Sequence, residues 1–168
     1  MQSESARAAS AAEARFRIDA PNSRPRSVKV IALDRECVAV VKRLAQSEWP
    51  HAAFLTAPTS GPPAGQPFSM AGWLADLAGH TKSLMDEIDH ADLVVMIATA
   101  GQNAEAASII GEACSLKRVN TTALVIADPS VSDSSLARSL AQLRPWALML
   151  VVASAEDYIA DMLVALRA

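Results

Sequence analysis

The sequence predicts an α/β domain of three layers, Rossmann-like or flavodoxin-like, with a five-stranded parallel sheet in the order 2-1-3-4-5. Three observations lead there. Five short apolar runs recur along the chain, each is followed by a segment with helical spacing, and most joins are short. The runs are continuous and not alternating, which suits strands covered on both faces. Strand–helix alternation of this kind implies right-handed crossovers and a doubly wound sheet.

The first run is Ser27 to Leu33, SVKVIAL, and the second, weaker one is Ala52 to Thr56, AAFLT. The third is Asp92 to Thr99, the fourth Thr121 to Ala127 and the fifth Ala147 to Ala153. Between them lie amphipathic segments. Cys37 to Ser47 places Val38, Val41, Leu44 and Ala45 on one stripe. Ala104 to Lys117 does the same with Ala106, Ile109, Ile110, Ala113 and Cys114. Ser134 to Leu143 carries Leu136, Leu140 and Leu143, and Ala155 to Arg167 turns Tyr158, Ile159, Met162, Leu163 and Leu166 inward. Spacings of three and four residues make each stripe a core-facing side. Ser132 and Asp133 open one helix. Ser154, with Glu156 and Asp157 behind it, opens the last, where carboxylates favour the positive helix end.

One stretch breaks the alternation. Residues 57–69, rich in proline and glycine, predict an exposed loop. A long helical pattern follows from about Ser69 to His90, weakened at Gly72 and Gly79. Residues 1–26 predict a mobile tail, and 27–168 a single domain.

Bulk properties narrow the function classes. The 168 residues are 51% hydrophobic with a formal net charge of −3. That is enough apolar content for a sizeable core, and it offers no basic field for a nucleic-acid backbone. The longest apolar runs are too short to span a bilayer, so no membrane partner is expected. The two cysteines, Cys37 and Cys114, match no metal or disulfide spacing, which points to a reducing, cytoplasmic setting. His51, His80 and His90 are scattered, and no metal site is expected.

In open parallel sheets, ligands bind outside the carboxyl ends of the strands. Those ends carry Asp34, Thr99, Gly101, Gln102, Asn103 and Asp128, which form the candidate ligand-binding set. Gly101 permits a turn with positive φ, and Gln102 and Asn103 lead into a helix start whose free amides attract an anion. The competing account makes Asn103 and Asp34 helix caps and Asp128, before Pro129, a turn residue. Glu105 in the first helical turn would repel a phosphate. Cys37 begins a helix near the same crevice, where the helix end lowers a thiol pKa. Trp49, Trp73 and Trp146 lie at element edges, where edge packing competes with a partner surface.

Two stretches carry a resemblance. Val28 to Leu44, VKVIALDRECVAVVKRL, resembles the first strand, glycine-rich loop and first helix of the nucleotide-binding domain of the tubulin/FtsZ family. Ala91 to Cys114 resembles that family's acidic-led strand, its Ala-Gly turn and the helix after its signature loop, and TTALVIAD fits the next strand. The resemblance implies a related fold. It does not imply GTP hydrolysis or filament formation. Leu33, Asp34, Arg35 and Glu36 stand where the family has glycines, and Gln102, Asn103, Ala104 and Glu105 stand in for its signature loop. Only Ala100 and Gly101 match that loop directly, and no stretch corresponds to the family's second domain. Side chains in place of glycines occupy the space a triphosphate needs.

Two functions follow as expectations. The first is a non-catalytic module that works through protein contacts, as a homodimer, with room for a small ligand at the strand carboxyl ends. The second is an enzyme or sensor for a nucleotide or small anionic metabolite at the Asp34/Gly101 crevice. No cofactor is specified by either.

Overall fold

The computed structural model describes residues 25–59, 71–154 and 156–168. The expected tail up to residue 24 and the proline-rich loop from residue 60 lie outside the described residues.

The fold is α/β, with a mostly parallel sheet between helical layers. The strands are β1 (Val28–Ala32), β2 (Ala52–Thr56), β3 (Leu74–Asp76), β4 (Thr81–Lys82), β5 (Leu93–Thr99), β6 (Asn120–Ile126) and β7 (Met149–Ala153). The helices are α1 (Arg35–Leu44), α2 (Leu84–Asp89), α3 (Ala106–Lys117), α4 (Asp133–Leu143) and α5 (Glu156–Ala165), with a 3-10 turn at Arg144–Trp146. Among the described residues the sheet has seven strands in the order β4-β3-β2-β1-β5-β6-β7, which corrects the expectation of five strands in the order 2-1-3-4-5. The parallel pairs join β2, β1, β5, β6 and β7, while β3 and β4 add an antiparallel extension beyond β2.

That extension replaces most of the helix expected over residues 69–90. Gly72 and Gly79 sit at φ +69° and +90°, outside helical space. Between them the Asp76 carboxylate accepts from the backbone amides of Ala78 and His80, both at 2.9 Å. An aspartate that hydrogen-bonds its own following backbone competes with the helix and sets a turn. Only the last part of the stretch is helical, as α2, capped by Ser83.

Each central strand feeds two cores. Ile31, Val94, Met96, Ala123 and Val125 pack with α2, α3 and α4, and Val30, Val95, Ile97 and Leu124 with α1 and α5. This two-sided burial is why the runs are continuous. Tyr158 departs from the expected inward stripe of the last helix and is half exposed, while Ile159 and Leu163 are fully buried. Across the second layer, the Arg43 guanidinium pairs with the Glu156 carboxylate, tying α1 to the start of α5. Among the described residues no helix is long and apolar enough to cross a membrane.

Candidate functional site

The parallel register brings the carboxyl ends of β1 and β5 side by side, and Asp34 and Thr99 meet there. Asp34 follows β1 and is the N-cap of α1. Its Oδ1 accepts from the amide of Cys37 at 2.9 Å and from the Thr99 hydroxyl at 3.1 Å. Its Oδ2 accepts from the amide of Thr99 at 2.6 Å. The carboxylate is 4% exposed and receives all three donors, so it clasps the two strand ends together. The position at which a helix start would hold a ligand's anion is occupied by this side chain.

Cys37 completes the clasp. Its thiol accepts from the Asp34 amide and lies within donating distance of the Asp34 and Ile97 carbonyls, at 3.2 and 3.0 Å. Burial, reinforced by the Asp34 charge, pushes the thiol up to about 12. The reactive thiol that a helix start favours is therefore overturned, because desolvation outweighs the helix end. Cys114 is likewise buried and pushed up to about 12 by burial. Both thiols are expected to resist iodoacetamide at pH 8 until the chain unfolds. Unfolded thiols ionise near 9, so stability is full below that pH and falls as pH rises toward about 12. Comparing urea unfolding at pH 8 and 10 checks this. A Cys37→Ala/Cys114→Ala variant should lose part of the alkaline decline, and an unchanged slope would refute the assignment.

The turn after β5 is closed in the same way. Gly101 adopts φ +88°, as its position in the sequence requires, and its amide donates to Ser139 Oγ at 2.9 Å. The Ala104 amide donates to Gln142 Oε1 at 3.2 Å, and the Glu105 amide to Asn103 Oδ1 at 3.0 Å. Asn103 thus serves the entry to α3, although the helix itself begins after Glu105. Gln102 donates across the crevice mouth to Glu36 Oε1 at 2.8 Å. Asp128 stands in its own exposed turn, where Oδ1 accepts from the Ser130 amide, and the bonding to Ser130 lowers its pKa.

Of the six candidate residues, the structure joins Asp34 to Thr99 directly. It sets Gly101, Gln102 and Asn103 on the next loop and leaves Asp128 in a separate turn. Sequence reasoning missed Ser139, Gln142 and Glu36. Ser139 is 1% exposed, and with Gln142 it lies three residues along one face of α4, a spacing that reads as ordinary surface until the α3 entry is seen against it. Among the described residues no group of three or more His, Cys, Asp or Glu is placed to hold a metal ion.

A concavity lies to one side, in a cleft of about 350 Å³ between α1 and the β3–β4 hairpin. A second, of about 320 Å³, sits at the opposite edge beside Arg118 and Trp146.

No protein-family model matches the chain, and no curated protein matches it. Among solved structures it is similar to the translation elongation factor SelB from Methanococcus maripaludis in its apo form, at 8% identity and a TM-score of 0.47. That similarity covers 83% of this chain and 36% of SelB, so the chain spans about a third of that protein's length, and a likeness of this size carries no functional argument.

Proposed function

We propose that this chain is a non-catalytic Rossmann-like module that works through protein contacts, pairing with a second copy of itself along β7. The observation that carries this reading is the contrast between the carboxyl-end crevice and the β7 edge. The carboxyl-end crevice is filled by the Asp34 carboxylate, and the amides of Gly101, Ala104 and Glu105 already have protein acceptors. The β7 edge, in contrast, ends the sheet among the described residues and is apolar. Leu148 is 79% exposed, Val152 44% and Met149 40%. An open apolar edge strand without lysine or proline is a template for another strand.

The strand suits its own copy. A two-fold pairing of β7 with β7 runs antiparallel and centres on Val151, setting Met149 opposite Ala153 and Leu150 opposite Val152. Every such pair is apolar, so no like charges face each other. Tyr158 and Val164 of α5 are further exposed apolar side chains. The resemblance to the tubulin/FtsZ nucleotide-binding domain fits the same reading, as a related layout whose phosphate loops have been replaced by side chains that close the crevice.

Sedimentation of the chain at micromolar concentration is expected to give a dimer. Val152→Lys puts a charge into the seam and should shift the equilibrium to monomer by tenfold or more, with the circular dichroism unchanged. A monomeric parent chain, or a Val152→Lys variant that still dimerises equally well, would refute pairing along β7.

A further inference from the structure

From the side cleft we infer a binding site for a small organic anion, a phosphate or carboxylate head on a flat apolar body. The inference is independent of how β7 pairs. The cleft opens at the carboxyl end of β2, the side of a parallel sheet on which ligands are held. Its volume of about 350 Å³ falls within the range of small-molecule pockets. One wall is α1, the other is the β3–β4 hairpin, and the segment leaving β2 forms the floor.

The wall chemistry selects the ligand. Arg35, Val38 and Lys42 are spaced three and four apart, so they form one stripe of α1 facing the cleft. The two cations lie seven positions apart, roughly 10 Å along the helix axis, within the reach of two long side chains toward one head group. Three other cations of the described chain are engaged: Lys29 with Glu87, Arg43 with Glu156, and Lys117 with Asp89. Among the described residues, the side chains of Arg35 and Lys42 make no hydrogen bond or ion pair, so both charges are available. Arg supplies a planar fork for an oxyanion and Lys a point charge.

The rest of the lining is mainly apolar: Val38, Ala57, Pro58, Ala75 and Leu77. Such a surface takes a hydrophobic body and leaves a bare inorganic ion with little to bind. Asp76 is the opposing charge. Its carboxylate is already held by the amides of Ala78 and His80 and by His80 Nδ1 at 3.0 Å. Two uncommitted cations therefore face one carboxylate already committed to the hairpin turn. The Asp34/Gly101 crevice has the converse arrangement, with its donors spent and an acidic side chain inside.

The test is a titration of the full chain with phenyl phosphate, followed through backbone amide resonances. Saturable shifts are expected at Val38, Thr56, Ala57 and Leu77, with inorganic phosphate and benzyl alcohol each binding at least tenfold more weakly. Arg35→Gln/Lys42→Gln should weaken phenyl phosphate by tenfold or more, while Lys117→Gln leaves it unchanged. Both replaced side chains are exposed, and retained amide dispersion confirms folding of the variant. Three results would overturn the inference: no saturable shift at these amides, shifts confined to residues 99–105, or equal binding by the Gln/Gln variant.

Discussion

Replacing Asp34 by alanine is expected to cost about 3 kcal/mol of stability, because hydrogen bonds to a charged acceptor contribute about 1.5–3 kcal/mol each and a lost N-cap about 1 kcal/mol, with overlap between them. The substitution strands the amides of Cys37 and Thr99 and the Thr99 hydroxyl at a buried point. For a chain of this length the loss corresponds to a fall of roughly 10 °C in melting temperature. Asp34→Asn is nearly isosteric, yet it turns an NH2 group toward a donor, since one carboxylate oxygen serves Cys37 and Thr99 Oγ1 and the other the Thr99 amide. It should therefore recover less than half of the loss. Thr99→Val removes only the hydroxyl bond and should cost about 1 kcal/mol. Urea unfolding of the three variants measures this series. If Asp34→Ala costs under 1 kcal/mol, the clasp is not what joins β1 to β5, and the Asp34 carboxylate is free to serve a ligand in the crevice.

Gly111→Ala should be destabilising by about 2 kcal/mol, within the usual 1–3 kcal/mol for overpacking a core. The sign is the informative part. In a helix interior Ala is better than Gly by about 1 kcal/mol, so an open site would be stabilised. At Gly111, in α3, a Cβ would lie 2.6 Å from Trp146 Cβ and 2.8 Å from Cε3. The nearest atom is at the root of the tryptophan side chain, so a simple rotamer change does not relieve the contact. The 3-10 turn carrying Trp146 would have to move off α3, and with it the Thr121 hydroxyl bond to the Trp146 carbonyl. Trp146→Ala removes two of the three close atoms, so the double variant should cost less than the sum of the singles. A stabilised Gly111→Ala protein would mean that Trp146 does not pack there.

The Asp34 and Gly111 positions divide what was readable from what was not. Continuous apolar runs locate the five parallel strands, because a strand buried on both faces must be apolar throughout, and Val94 to Ala98 has no other place to go. Local chemistry was also readable. The cap at Asp34, the left-handed turn at Gly101 and the helix start at Ser132 each follow from neighbours within a few residues. The β3–β4 hairpin was not readable. Its apolar residues permit helical spacing, and the decision falls to Asp76 bonding its own turn and to pairing with β2, a partner about twenty residues away.

The candidate site divides along the same line. The sequence by itself determined an α/β chain with its polar residues gathered at the carboxyl ends of parallel strands. Only the tertiary structure decided that Asp34 and Thr99 are spent on each other and that Gly101 and Gln102 are spent on Ser139 and Glu36. A side chain's availability depends on what stands opposite it, and Thr99, Ser139 and Gln142 reach their partners across 38 to 65 residues of chain. Among the described residues, the same long-range packing left the Arg35 and Lys42 side chains without an ion pair beside an apolar cleft and made β7 the last strand of the sheet, because helix stripes and strand runs do not record which edge ends a sheet.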